Sequence, residues 1–99
     1  MGFKKFNEGK IKFSLLPPLA LEEAAKVLTY GANKYGRDNW KLCKDTRDYI
    51  DALYRHLNEY QKGILYDEES GNLHISHVLA NALFLVHFEK LQETTLGGN

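Results

Sequence analysis

The fold is decided by the stretch Leu73-His74-Ile75-Ser76-His77-Val78-Leu79-Ala80-Asn81-Ala82-Leu83-Phe84-Leu85-Val86-His87-Phe88-Glu89-Lys90-Leu91. Through Leu79, Leu83, Val86 and Leu91 it reads as a helix that is apolar on most of its circumference. Such a helix is either central to a fold or lies at a subunit interface. Its longest purely apolar run, Ala82 to Val86, is five residues, far short of the ~20 that a membrane span needs. Against this background His74, His77 and Asn81 fall at i, i+3 and i+7. They form a polar row that an oily helix does not carry without reason.

Upstream, a second helix is expected from about Thr46 to Lys62, with a buried stripe of Ile50, Leu53, Leu57 and Tyr60. Asp45 caps it, Asp48 sits in its first turn where the helix dipole favours an acid, and Gly63 stops it. A first helix opens at Pro17-Pro18 and carries Leu21, Ala24, Ala25 and Leu28 at helical spacing to about Tyr30, with Gly31 as its C′ residue. Residues 9–16 read as a short strand or an extended arm. The fold class expected is therefore mainly all-α: one compact three-helix domain over residues 1–99, with an extended N-terminal arm. Residues 1–8 and 94–99 are expected to be flexible. Three helices cannot surround the apolar third one, so a homo-oligomer is expected.

Between the first two helices, Gly31 to Asp45 lacks periodicity and reads as a long basic loop. Aperiodic loops of that length tend to be functional. This one holds Lys34, Arg37, Lys41 and Lys44 with Tyr35 and Trp40. Lys34 and Arg37 suit phosphate oxygens, and Tyr35 or Trp40 suits a stacked base. The bland alternative has Trp40 plugging the core over solvated cations, and for Trp40 itself the core role is the better one.

Overall charge is zero, from 13 basic and 13 acidic residues. That balance conceals a division. Residues 1–62 hold 12 bases against 8 acids, a net of +4, and residues 63–99 hold one base against five acids, a net of −4. The basic part can receive a small phosphate ligand, while the acidic part would repel a long nucleic acid. One cysteine, Cys43, excludes an internal disulfide framework and suits a reducing compartment. No membrane span or signal sequence is expected.

Further candidates lie on the helices. Asp51 and Arg55 share a face at i, i+4, with Glu59 four residues on; Arg55 is either a phosphate clamp or part of a surface ion-pair ladder. His56, His74, His77 and Asp67 could hold a divalent metal, act as acid–base groups, or simply hydrogen-bond the Asp67-Glu68-Glu69 turn; hydrogen bonding is the favoured reading.

In order, Gly9-Lys10, Leu15-Leu16-Pro17-Pro18, Gly31-Ala32-Asn33-Lys34-Tyr35-Gly36, Asn39-Trp40, Asp51-Ala52-Leu53-Tyr54-Arg55-His56-Leu57, Gly63, Asp67-Glu68-Glu69-Ser70-Gly71, His74 and His77 resemble the phage and prophage family named after dATP/dGTP diphosphohydrolase, in its N-terminal domain. The resemblance spans residues 8–90. It implies a mostly helical fold that handles purine deoxynucleotides, releasing pyrophosphate or hydrolysing phosphates with Mg2+ in the cytoplasm of an infected bacterium. The all-helical nucleotide pyrophosphatases that it distantly echoes use a Glu-Glu-x-x-Glu motif, whereas this chain has Glu22-Glu23-x-x-Lys26. In the enzyme reading, Glu22, Glu23 and Asp67 hold the metal, and Asp51, His56 and His77 serve catalysis. Lys10, Lys34, Tyr35, Arg37, Trp40, Arg55, His74 and Asn81 bind the nucleotide. The alternative is a non-catalytic phage protein that sequesters a cyclic or other signalling nucleotide of host defence, with no cofactor.

Overall fold

The computed structural model describes residues 2–6 and 8–97, with residues 95–97 described as helical backbone alone. Three α-helices dominate: α1 (Pro18–Tyr35), α2 (Arg47–Gln61) and α3 (His74–Gly97). Two short 3-10 turns, Phe13–Leu15 and Asn39–Leu42, precede α1 and α2 respectively. Among the described residues there is no strand, only an isolated antiparallel bridge between Tyr66 and Leu73. Residues 9–16 are thus the arm rather than a strand, and their side chains are exposed.

α3 is the central element, as its apolar circumference requires. Both α1 and α2 pack on it, and they make little or no contact with each other. Its N-terminus is fixed by the Tyr66–Leu73 bridge and by the His74 N–H donating to the Leu65 carbonyl at 2.8 Å. The helix continues past the expected end at Leu91 to Gly97. Of the terminal stretches expected to be flexible, residues 1, 7, 98 and 99 lie outside the described residues.

The expected end of the first helix is corrected. α1 does not stop at Tyr30 with Gly31 as its C′ residue but runs five residues past Tyr30, so Lys34 and Tyr35 are helical rather than in a loop. A glycine inside a helix costs only about 1 kcal/mol, and the following Ala-Asn-Lys-Tyr continues the turn. The true stop is Gly36, whose φ of 100° is open to glycine and whose N–H donates to the Ala32 carbonyl at 2.8 Å. The long basic loop is correspondingly shorter.

That loop is anchored rather than free. Trp40 stacks on Phe84 (centroids 4.9 Å apart) and meets Phe88 edge-on at 5.9 Å. Tyr49 of α2 packs on Phe84 at 4.9 Å, and its hydroxyl donates to the Trp40 carbonyl at 3.0 Å. The expected caps of α2 hold: Asp45 Oδ1 accepts the Arg47 N–H at 3.0 Å, and Gly63 follows the last turn with φ 88°.

Among the residues whose burial is described, the buried apolar ones are few and small: Ala24, Val27 and Ala80. Leu83 and Val86 of α3 remain 42% and 66% exposed. The radius of gyration is 16.9 Å, against about 13 Å for a compact domain of this length. Among the described residues, no helix is long and apolar enough to cross a membrane.

Candidate functional site

Because α1 and α2 flank α3 without closing on each other, a cleft of about 820 Å³ opens between them. Tyr30, Gly31, Tyr35, Gly36 and Arg37 form one wall, Tyr49 and His56 the other, and His77, Asn81 and Phe84 of α3 the floor. Six residues singled out in the sequence therefore meet in one place: Tyr35, Arg37, Trp40, His56, His77 and Asn81. Arg37 is the one cation lining the cleft, and it makes no ion pair among the described residues.

The remaining basic candidates lie elsewhere. The Lys34 ammonium is ion-paired with Glu69, which holds its pKa above the ordinary lysine value. Lys10 is exposed on the arm, and Arg55 is exposed on α2 outside the cleft lining. The expected Asp51–Arg55 and Arg55–Glu59 ion pairs do not form among the described residues; Glu59 pairs with Lys62 at 2.8 Å instead. Asp51 is exposed and outside the cleft.

At the polar end of the cleft lies a histidine cluster. His74, only 6% exposed, faces His56 with their Nδ1 atoms 2.8 Å apart. The His56 and His77 rings stack, with centroids 4.1 Å apart and planes inclined by 7°. One ring of the facing pair must donate and the other accept, so the two Nδ1 atoms share a single proton. Burial, reinforced by the neighbouring His77, pushes the His56 pKa down to about 4; burial also lowers that of His77. Both rings are therefore neutral near pH 7.

Ser70, unremarked in the sequence beyond its place in the family resemblance, organises the other side of the cluster. Its hydroxyl donates to Asp67 Oδ2 at 2.7 Å and lies 2.7 Å from His77 Nε2. With its one proton directed to the carboxylate, Ser70 Oγ accepts from His77 Nε2–H, leaving Nδ1 as that ring's acceptor. Burial works against the Asp67 carboxylate, but the Ser70 hydroxyl and N–H, with the imidazoles, outweigh it and hold the pKa below the ordinary value. Asn81 Nδ2 donates to the His77 carbonyl at 2.8 Å. Tyr49 is the second residue missed; its place two residues ahead of Asp51 gave no signal beyond an aromatic in a helix.

Among the described residues, Glu22, Glu23 and Asp67 do not form one ligand group. Glu23 and Glu22 share Lys26, at 2.7 and 3.9 Å, and Asp67 stands with Ser70 and the histidines. Magnesium prefers oxygen donors in octahedral array. Among the described residues, the one set of His, Cys, Asp and Glu side chains with ligand atoms within 4.8 Å of one another is His56, Asp67 and His74, which is rich in nitrogen.

A family described as dATP/dGTP diphosphohydrolase, N-terminal, matches residues 2–95. The chain is also similar to a Salmonella phage PMBT28 protein named dATP/dGTP diphosphohydrolase, with 41% identity over 81 residues. That match covers 82% of this chain and 28% of the phage protein, so the chain spans little more than a quarter of its relative's length. No solved structure matches the chain significantly.

Proposed function

Since the chain belongs to the dATP/dGTP diphosphohydrolase N-terminal family, we propose that it binds a purine deoxynucleotide in the α1–α2 cleft and hydrolyses its phosphates. The observation that carries this reading is the meeting of Arg37, Tyr35, His56, His77 and Asn81 on one cleft wide enough for a nucleotide. Arg37 receives the phosphates through charge-assisted hydrogen bonds, the exposed Tyr35 ring stacks on the base, and Asn81 supplies its free carbonyl to the base edge. His77, neutral and held by Ser70 through Nε2, offers Nδ1 to take a proton from an attacking water. The setting for this chemistry is the cytoplasm of an infected bacterium.

The test is direct. The protein is incubated with dATP, dGTP, dCTP and ATP, with and without Mg2+, and products are followed by chromatography. Turnover of the purine deoxynucleotides supports the reading; recovery of intact nucleotide after denaturation rejects hydrolysis.

One observation favours a second reading, in which the chain only sequesters a nucleotide: among the described residues Glu22 and Glu23, which pair with Lys26, do not join Asp67 in one ligand group. Tight binding of a linear or cyclic nucleotide without turnover would support it.

We further propose that the chain is a homo-oligomer. The burial of only small apolar residues and the exposure of Leu83 and Val86 on the central helix support a second copy covering α3.

A further inference from the structure

We propose that His56, His74 and Asp67 bind a divalent transition-metal ion of the zinc class. The three residues come from three places that the fold brings together. His56 lies on α2, Asp67 in the turn that follows, and His74 is the first residue of α3. One ligand atom from each lies within 4.8 Å of the others. The turn is rigid: the Asp67 N–H donates to the Asn72 carbonyl and the Gly71 N–H to the Asp67 carbonyl, both at 2.8 Å.

The geometry is close to that of a bound ion. Two imidazole nitrogens each about 2.0–2.1 Å from a tetrahedral metal stand roughly 3.3 Å apart. His56 Nδ1 and His74 Nδ1 stand at 2.8 Å, so the rings need part only by about half an ångström to admit the cation. The proton that the two Nδ1 atoms share moves to Nε2 of the same ring, and both Nδ1 lone pairs then face the metal. Nitrogen donors with a single carboxylate select zinc, cobalt or nickel over magnesium and calcium.

A surrounding layer of contacts is already in place. Ser70 fixes Asp67 through Oδ2, and the stacked His77 ring holds His56; such contacts orient metal ligands elsewhere. Because His56 also lines the cleft, the fourth coordination position is available to water or to an oxygen of a cleft ligand. The metal site stands on this side-chain geometry and does not depend on the nucleotide reading.

The experiment uses the full chain without nucleotide, stripped with a chelator, dialysed and titrated with Zn2+ and Co2+. The expected result is one ion per chain, with Co2+ giving the intense visible bands of a low-symmetry site. His56→Gln, His74→Gln and Asp67→Asn should each weaken binding at least tenfold and bleach those bands, while His87→Gln leaves both unchanged. Circular dichroism reports folding; should His74→Gln unfold, the His56 and Asp67 variants carry the test. Failure of the wild-type chain to bind either ion overturns the proposal. So does undiminished binding in the folded variants, or equal loss in His87→Gln.

Discussion

His56 and His77 lie on different helices with their rings 4.1 Å apart and nearly parallel, so α2 and α3 are joined through two neutral imidazoles rather than through an ion pair. The joint lies at the polar end of the cleft, whose other end is closed by aromatic rings around Trp40. Both ends can be tested by substitution.

Trp40 is an anchor whose loss should be felt in stability. Its half-buried ring packs on Phe84, His87 and Phe88, and Trp40→Ala should destabilise by about 3 kcal/mol. Urea unfolding followed by far-ultraviolet circular dichroism checks this, since the substitution removes the sole tryptophan. Unchanged stability with a lost nucleotide affinity would make Trp40 a ligand contact instead.

Arg37→Ala should weaken nucleotide binding about tenfold, the size of a lost charge-assisted hydrogen bond. Arg55→Ala and Lys10→Ala should leave it unchanged, as both side chains lie outside the cleft lining. Titration calorimetry with dGTP distinguishes them; a larger effect at Arg55 than at Arg37 would move the phosphate site to the outer face of α2.

The two glycines that bracket the end of α1 should respond in opposite directions. Gly31 has helical backbone, and a Cβ there meets nothing within 4 Å, so Gly31→Ala should stabilise by about 0.5–1 kcal/mol. Gly36 sits at φ 100°, and Gly36→Ala should destabilise by about 1–2 kcal/mol through backbone strain alone. Melting temperatures decide the signs. Because Gly31 lines the cleft, Gly31→Ala should also lower nucleotide affinity if the ligand approaches the helix backbone.

Alkaline titration should reveal Tyr49 as a late-titrating tyrosine, beyond the smaller upward shift at Tyr30. Burial, with smaller contributions from Cys43 and Asp48, pushes the Tyr49 pKa up to about 12 from an ordinary value of 10.0. The folded state keeps its proton longer than the unfolded chain. The corresponding stability is whole below pH 10 and is lost as pH rises towards 12. Ultraviolet absorbance of tyrosinate should show this late step, and Tyr49→Phe should remove it. Titration of Tyr49 together with the exposed tyrosines would refute its burial.

Light scattering should give a mass that is a multiple of 11.4 kDa. Val86→Asp, at an exposed position of α3, should shift the chain towards monomer and lower its melting temperature. A wild-type chain that is monomeric at all concentrations would leave α3 without the second copy proposed for it.

The sequence by itself determined the three helices and their order, because apolar spacing, Asp45 as a cap and Gly63 as a stop act within a few residues. It also marked most of the cleft, since a polar row on an oily helix and a basic aromatic segment stand out without knowledge of partners. It did not place the end of α1, where Gly31 and Gly36 compete and only the positive φ of Gly36 decides. Nor did it separate Arg37, which faces the cleft, from Lys34, which Glu69 takes at a separation of 35 residues. Ser70 and Tyr49 gained their roles only when α2, α3 and the turn between them met. Capping and periodicity are local and survive in one dimension, whereas the pairing of side chains across helices depends on how those helices cross.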